Sequence, residues 1–165
     1  MSFFLRQASR PAVPFGPALS LASIALLSTL CLAHPAHAAT SSDSQLALAQ
    51  LEDRANQASP REQCFLYAQI VHTMTVQAGQ QIADGDTEQA AATLSKVNQY
   101  AHIIHVSLAR DAKKLKDAEE LMHNTTYRLA EVLHLASGPD KATVQETLKQ
   151  LNQVNDEILA QVFTH

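Results

Sequence analysis

From Thr87 to Ala136, 50 consecutive residues contain neither glycine nor proline. Apolar residues recur through them in one register: Leu94, Val97, Ala101, Ile104 and Leu108, then Leu115, Ala118, Met122, Leu129, Val132 and Ala136. Steps of three and four alternate throughout, the pattern of a supercoiled helical seam. Only Asp111 and Thr125 stand at seam positions without being apolar. A chain patterned this way is held to helix. No run alternates apolar and polar residues long enough to suggest a strand.

The breakers lie outside that stretch. Ser59-Pro60-Arg61-Glu62 reads as a helix start, with Ser59 as cap, Pro60 in the first turn and Glu62 three residues after the cap. Asp84-Gly85-Asp86 reads as a tight reversal, and Ser137-Gly138-Pro139-Asp140 as a second. The fold class is therefore all-α, an antiparallel helical bundle built of helical hairpins. Helices are predicted over residues 42–57, 60–83, 87–136 and 141–163. Leu48, Leu51 and Ala55 are expected to face inward from the first. Cys64, Tyr67, Val71, Met74 and Ala78 face inward from the second, and Val144, Leu148, Leu151, Ile158 and Val162 from the last.

The central stretch admits two architectures. The unbroken register favours one shared helix over 87–136, roughly 75 Å long at 1.5 Å per residue. The alternative is a turn near Asp111 to Lys114, giving four similar antiparallel helices that bury more of each surface. Gly85-Asp86-Thr87-Glu88-Gln89-Ala90 is similar to the turn of a tetratricopeptide hairpin, but no period near 34 residues accompanies it, so a solenoid of that kind is not expected.

The N-terminus indicates export. Met1 to Gly16 carries Arg6 and Arg10 and no acid, Ala18 to Ala33 is almost wholly apolar, and Ala36-His37-Ala38 completes a small-residue cleavage site. Together these make a signal peptide over residues 1–38, cut after Ala38, followed by a single domain over 39–165. The apolar run, about 16 residues, is short for a bilayer span, which needs roughly 20. No later stretch could span a membrane, so the mature protein is expected in the periplasm or outside the cell. Removing Arg6 and Arg10 takes the net charge from −4 to about −6. That balance argues against nucleic acid, which rewards a basic stripe. Cys64 is the one cysteine left after cleavage, so no intrachain disulfide forms, and its helical phase predicts a buried thiol.

Candidate chemistry is sparse. His102 and His105 share a helix face and form a candidate metal pair for copper or zinc, with Met74 and Met122 as conceivable soft ligands. Glu120-Leu121-Met122-His123 and Glu131-Val132-Leu133-His134 both read E-x-x-H, but on one helix they lie about 16 Å apart along its axis and cannot share a metal pair. Arg110, Lys113, Lys114 and Lys116 form a basic cluster among acids, read as a solvated face with local ion pairs. No nucleophile elbow, zinc-protease helix, phosphate loop or covalent-haem motif occurs, so no catalytic residue and no cofactor are expected.

The stretch from Pro60-Arg61-Glu62-Gln63-Cys64 through Gly85-Asp86-Thr87-Glu88-Gln89-Ala90 to Leu121-Met122-His123 resembles small exported helical proteins of acidobacteria. That resemblance assigns no residue a role. The expected function is that of an exported, non-catalytic interaction or scaffold protein of the cell envelope, with a protein partner or a second copy held through helical surfaces. A metal-binding helical bundle is the alternative.

Overall fold

Five α-helices make up the molecule, seen in a computed structural model that describes residues 36–108 and 113–164, with side chains described from residue 43. They are α1 (Ala36–Gln57), α2 (Pro60–Asp84), α3 (Thr87–Ser107), α4 (Leu115–Leu135) and α5 (Gly138–Phe163). There is no strand among the described residues. Most of the signal peptide lies outside them. The expected cleavage point after Ala38 falls inside the first turn of α1, which begins six residues before the predicted start at Ser42.

Each helix end has a local cause. At the start of α2, Pro60 takes the position where its missing N–H costs nothing. Ser59 does not cap in the expected way: its hydroxyl donates to the Glu62 carboxylate at 2.9 Å instead of accepting from the backbone. At the far end, Gly85 adopts φ 82°. The Asp86 N–H reaches the Gln81 carbonyl at 2.8 Å, closing the last turn. Only a residue without a Cβ takes that backbone freely. Between α4 and α5, Gly138 also takes a positive φ, 55°, and α5 begins there, three residues before the predicted start at Lys141.

The long shared helix is not formed. Leu108 leaves helical geometry, and the chain resumes as a turn at Lys113 and Lys114 before α4 starts at Leu115. Asp111, where the seam is charged, lies outside the described residues. The physical reason is surface burial. Both α3 and α4 pack against α2 and α5 rather than continuing one another. A straight 50-residue rod would have offered each partner only half its length. The interruption spans one heptad, Leu108 to Leu115, so two independent seams read as one.

The seam is buried at most of its predicted positions, while Leu108, Leu115 and Val132 reach only half-burial. Val97, Ala101, Ile104, Ala118, Met122, Thr125 and Leu129 are all fully buried, and Leu94 and Ala136 nearly so. Cys64, Val71 and Ala78 are fully buried from α2, with Tyr67 and Met74 close behind. In α5, Val144, Leu151 and Ile158 are buried as expected, joined by Val154, Thr147 and Asn155, while Leu148 and Val162 reach only half-burial.

The helices form two layers. In one, α2 and α4 run parallel: Arg61 meets Lys113 near their starts, His72 meets Thr125 midway, and Gly79 meets Val132 near their ends. In the other, α3 and α5 run parallel, with Thr87 on Asp140, Asn98 on Gln150 and His105 on Glu157. The hydrogen-bonded pairs in both layers are separated by 51 to 53 positions in sequence. Hairpin α2–α3 and hairpin α4–α5 are thus two like units, lying side by side with almost no slip along the helix axes. Between α3 and α5, Thr93, Leu94, Asn98 and Gln99 match Thr147, Leu148, Asn152 and Gln153 at an offset of 54, whereas α2 and α4 share no such match.

Candidate functional site: a trough between α1, α2 and α4

α1 is the least apolar helix at its contact surface, and that weakness creates the site. Among its described side chains only Ala55 is fully buried. Leu48 and Leu51 are half-buried, and Leu46 is exposed. Polar contacts hold the helix instead. Tyr100 of α3 donates to Glu52 at 2.8 Å, Tyr67 of α2 donates to Asn56 at 3.3 Å, and the Gln63 amide donates to the Ala55 carbonyl at 3.3 Å. The Tyr67 and Tyr100 rings stack with centroids 5.9 Å apart. Burial first, and the Glu52 carboxylate second, push the Tyr100 hydroxyl up to about 12. Tyr100 thus links α3 to the first helix. Val106 stays exposed.

Anchored this way, α1 leaves a trough toward α4. One hollow, of about 520 Å³, lies over Phe65 and Leu66 and is bordered by Arg54, Glu62, Lys113 and Lys114. A second, of about 370 Å³, lies over Leu51 and Leu121 and is bordered by Gln50, His72 and Thr73. Arg54 and Gln69 line both, so the two hollows adjoin. The basic cluster of the sequence contributes two of the borders, and its pairing is not local. Lys113 reaches Glu62 of α2 at 3.5 Å, and the Lys114 ammonium sits 4.7 Å above the Phe65 ring. Lys113 and the hydrogen bond from Ser59 hold the Glu62 carboxyl below its ordinary value, the Ser59 bond acting most.

His72 is the imidazole that borders the trough. It is half-buried, and desolvation first, then the Arg128 charge, lower its pKa. Thr125 donates its hydroxyl proton to the Leu121 carbonyl at 2.7 Å. Its oxygen is therefore left to accept from His72 Nδ1 at 2.9 Å. A hydroxyl beside an imidazole has the outline of a nucleophile and its base. Here the hydroxyl is wholly buried and its proton is already committed, so the pair ties α2 to α4. Sequence periodicity places His72 off the core seam and misses this role, because the partner belongs to a helix whose position the sequence does not reveal.

The other candidates fall elsewhere. His102 and His105 are brought together, with ring centroids 6.1 Å apart, on the exposed side of α3. His105 Nδ1 lies 2.5 Å from the Glu157 carboxylate of α5. Met74 and Met122 are core residues and do not approach that pair. His123 and His134 are exposed on α4. Among the described residues no three His, Cys, Asp or Glu side chains converge on a point where they could hold a metal. Cys64 is a free, buried thiol, pushed up to about 11 by desolvation. Among the described residues no helix is long and apolar enough to cross a membrane. No protein-family model, curated protein or solved structure matches the chain.

Proposed function

We propose that this is an exported, non-catalytic helical interaction protein of the cell envelope, and that it receives a partner protein in the trough between α1, α2 and α4. The observation that carries this reading is the trough itself. Its two hollows adjoin, its floor is apolar, its walls are charged and polar, and it opens to solvent along its length. A concave apolar surface with a few convergent polar groups is where ligands bind. The basic N-terminus followed by an apolar run supports the export half of the reading.

Capture from envelope extract tests it. Wild-type protein should return a reproducible partner, and Gln69→Trp, which projects an indole between the two hollows, should lose it while melting at the same temperature. A strictly monomeric protein that captures nothing, or captures equally well with Trp at 69, would end the reading.

A metal-binding role has one observation in its favour. Glu157 engages His105 Nδ1 and leaves Nε2 free to coordinate beside His102, the carboxylate–imidazole arrangement found behind metal ligands. Titration with Cu(II) and Zn(II) should then raise the melting temperature with ligand excess. No shift, or one unchanged in a His102→Ala, His105→Ala double variant, rejects it.

A further inference from the structure

We infer that the trough selects an acidic, amphipathic helical segment of its partner, with Arg54, Lys113 and Lys114 receiving the acids and Phe65, Leu66 and Leu121 receiving the apolar face. This deepens the docking reading above and rests on it.

Charge is the first argument. The chain as a whole carries −4, yet three cations border one end of the trough against the single carboxylate of Glu62. Lys113 is paired with that carboxylate, and Lys114 rests on Phe65. Arg54 has no carboxylate partner among the described residues. A cation at the rim of an apolar groove attracts complementary charge and suppresses partners of the wrong sign.

Backbone geometry is the second. Lys114 adopts φ 58°, the one non-glycine residue with positive φ among those described. That region is sterically disfavoured for a side chain of this kind, so the surroundings must hold it there. Two contacts do so: the Lys113 N–H donates to the Arg61 carbonyl at 2.7 Å, and the Lys114 ammonium lies over the Phe65 ring. Together they fix both lysines at the mouth of the trough.

Dimensions are the third. The hollows follow α2 from Glu62 to Thr73, about 16 Å at 1.5 Å per residue. That length takes three turns of a helix laid with its apolar face down, the helix-in-groove mode of recognition. The chain's own N-terminal residues are unsuited to the place. Residues 1–35 contain Arg6 and Arg10 and no acid.

Selection of random 14-residue peptides displayed on phage, against the purified protein, tests the inference. Enriched peptides should carry acids clustered at one end and apolar residues three and four apart. Their affinity, read by fluorescence anisotropy, should fall at least tenfold in Arg54→Glu and weaken again between 50 and 500 mM salt. Arg54 is exposed, so the variant should fold, and an unchanged melting temperature verifies it. Lys114→Gly keeps the backbone and removes one cation, and should weaken the same peptides. Enriched peptides without acidic bias, or bound equally well by Arg54→Glu, would overturn the charge selection while leaving docking intact. Peptides indifferent to Gln69→Trp would remove the docking site as well. Occupation of the trough by a second copy, seen as concentration-dependent dimerisation lost in Gln69→Trp, would also overturn it.

Discussion

Gly79 of α2 faces Val132 of α4 so closely that a Cβ added at position 79 would stand 3.0 Å from Val132 Cγ2. A glycine inside a helix normally costs about 1 kcal/mol relative to alanine. Here it lets two parallel helices approach at the point where their hairpins touch.

A double-mutant cycle exposes that contact. Overpacking costs typically about 1–3 kcal/mol, so Gly79→Ala should fail to stabilise the wild type. In a Val132→Ala background the same change should gain about 1 kcal/mol, the helix-propensity difference. Urea denaturation measures both. Additivity within about 0.3 kcal/mol would mean the helices are not in contact there.

His72 should make stability depend on pH. Its pKa is lowered in the folded state, so below the ordinary value of 6.5 the unfolded chain binds the proton more readily. The stabilisation is complete above pH 6.5 and declines as the pH falls below it. His72→Gln keeps a donor for Thr125 and cannot titrate, so the fall between pH 7 and pH 5 should be smaller in the variant. Equal slopes would place the effect elsewhere.

Cys64 should be chemically silent until the bundle opens. Burial raises its pKa from 9.0 to about 11, which alone cuts the thiolate fraction about 100-fold. Disulfide-exchange labelling at pH 8 should be slowed by at least that factor and restored in denaturant. Rapid labelling of native protein would place the thiol at the surface.

Thr147 is fully buried in α5, and its hydroxyl has no hydrogen-bond partner. Leaving such a group unsatisfied costs about 1–3 kcal/mol. Thr147→Val has nearly the same shape, so it should raise stability by about 1 kcal/mol. A loss would mean that a partner, such as a trapped water, satisfies the hydroxyl.

Tyr100 holds α1 through Glu52. Tyr100→Phe removes that bond, and a hydrogen bond to a charged group contributes about 1.5–3 kcal/mol. Amide exchange in α1 should accelerate at least tenfold, with α2 to α5 little changed. Uniform acceleration across all five helices would show that α1 has no separate opening.

Much of this molecule is legible in its residues. Positions such as Ile104, Met122 and Ile158 show their burial through spacing alone, because a helix places every third or fourth residue on one face. Gly85 shows its turn because few other residues tolerate that backbone. The break before Leu115 is half legible: the charge at Asp111 marks a place for the turn given as the alternative, but two seams one heptad apart read as one and favour the unbroken helix. The side-by-side placing of the two hairpins is hidden for another reason: it shows in pairs such as His72 with Thr125 and Asn98 with Gln150, more than 50 positions apart and polar, while helix patterning is read from apolar residues. The trough is the least visible feature of all. It depends on where α1 comes to rest, and that is decided by Tyr67 and Tyr100 reaching polar groups on another helix.

The four helices from α2 to α5 close a ring in which each touches two of the others, and α1 lies against its outside, mainly on α2. A change at an exposed position of α1, such as Arg54, therefore alters the wall of the trough without repacking the ring. The groove can change its preference while the scaffold beneath it stays as it is.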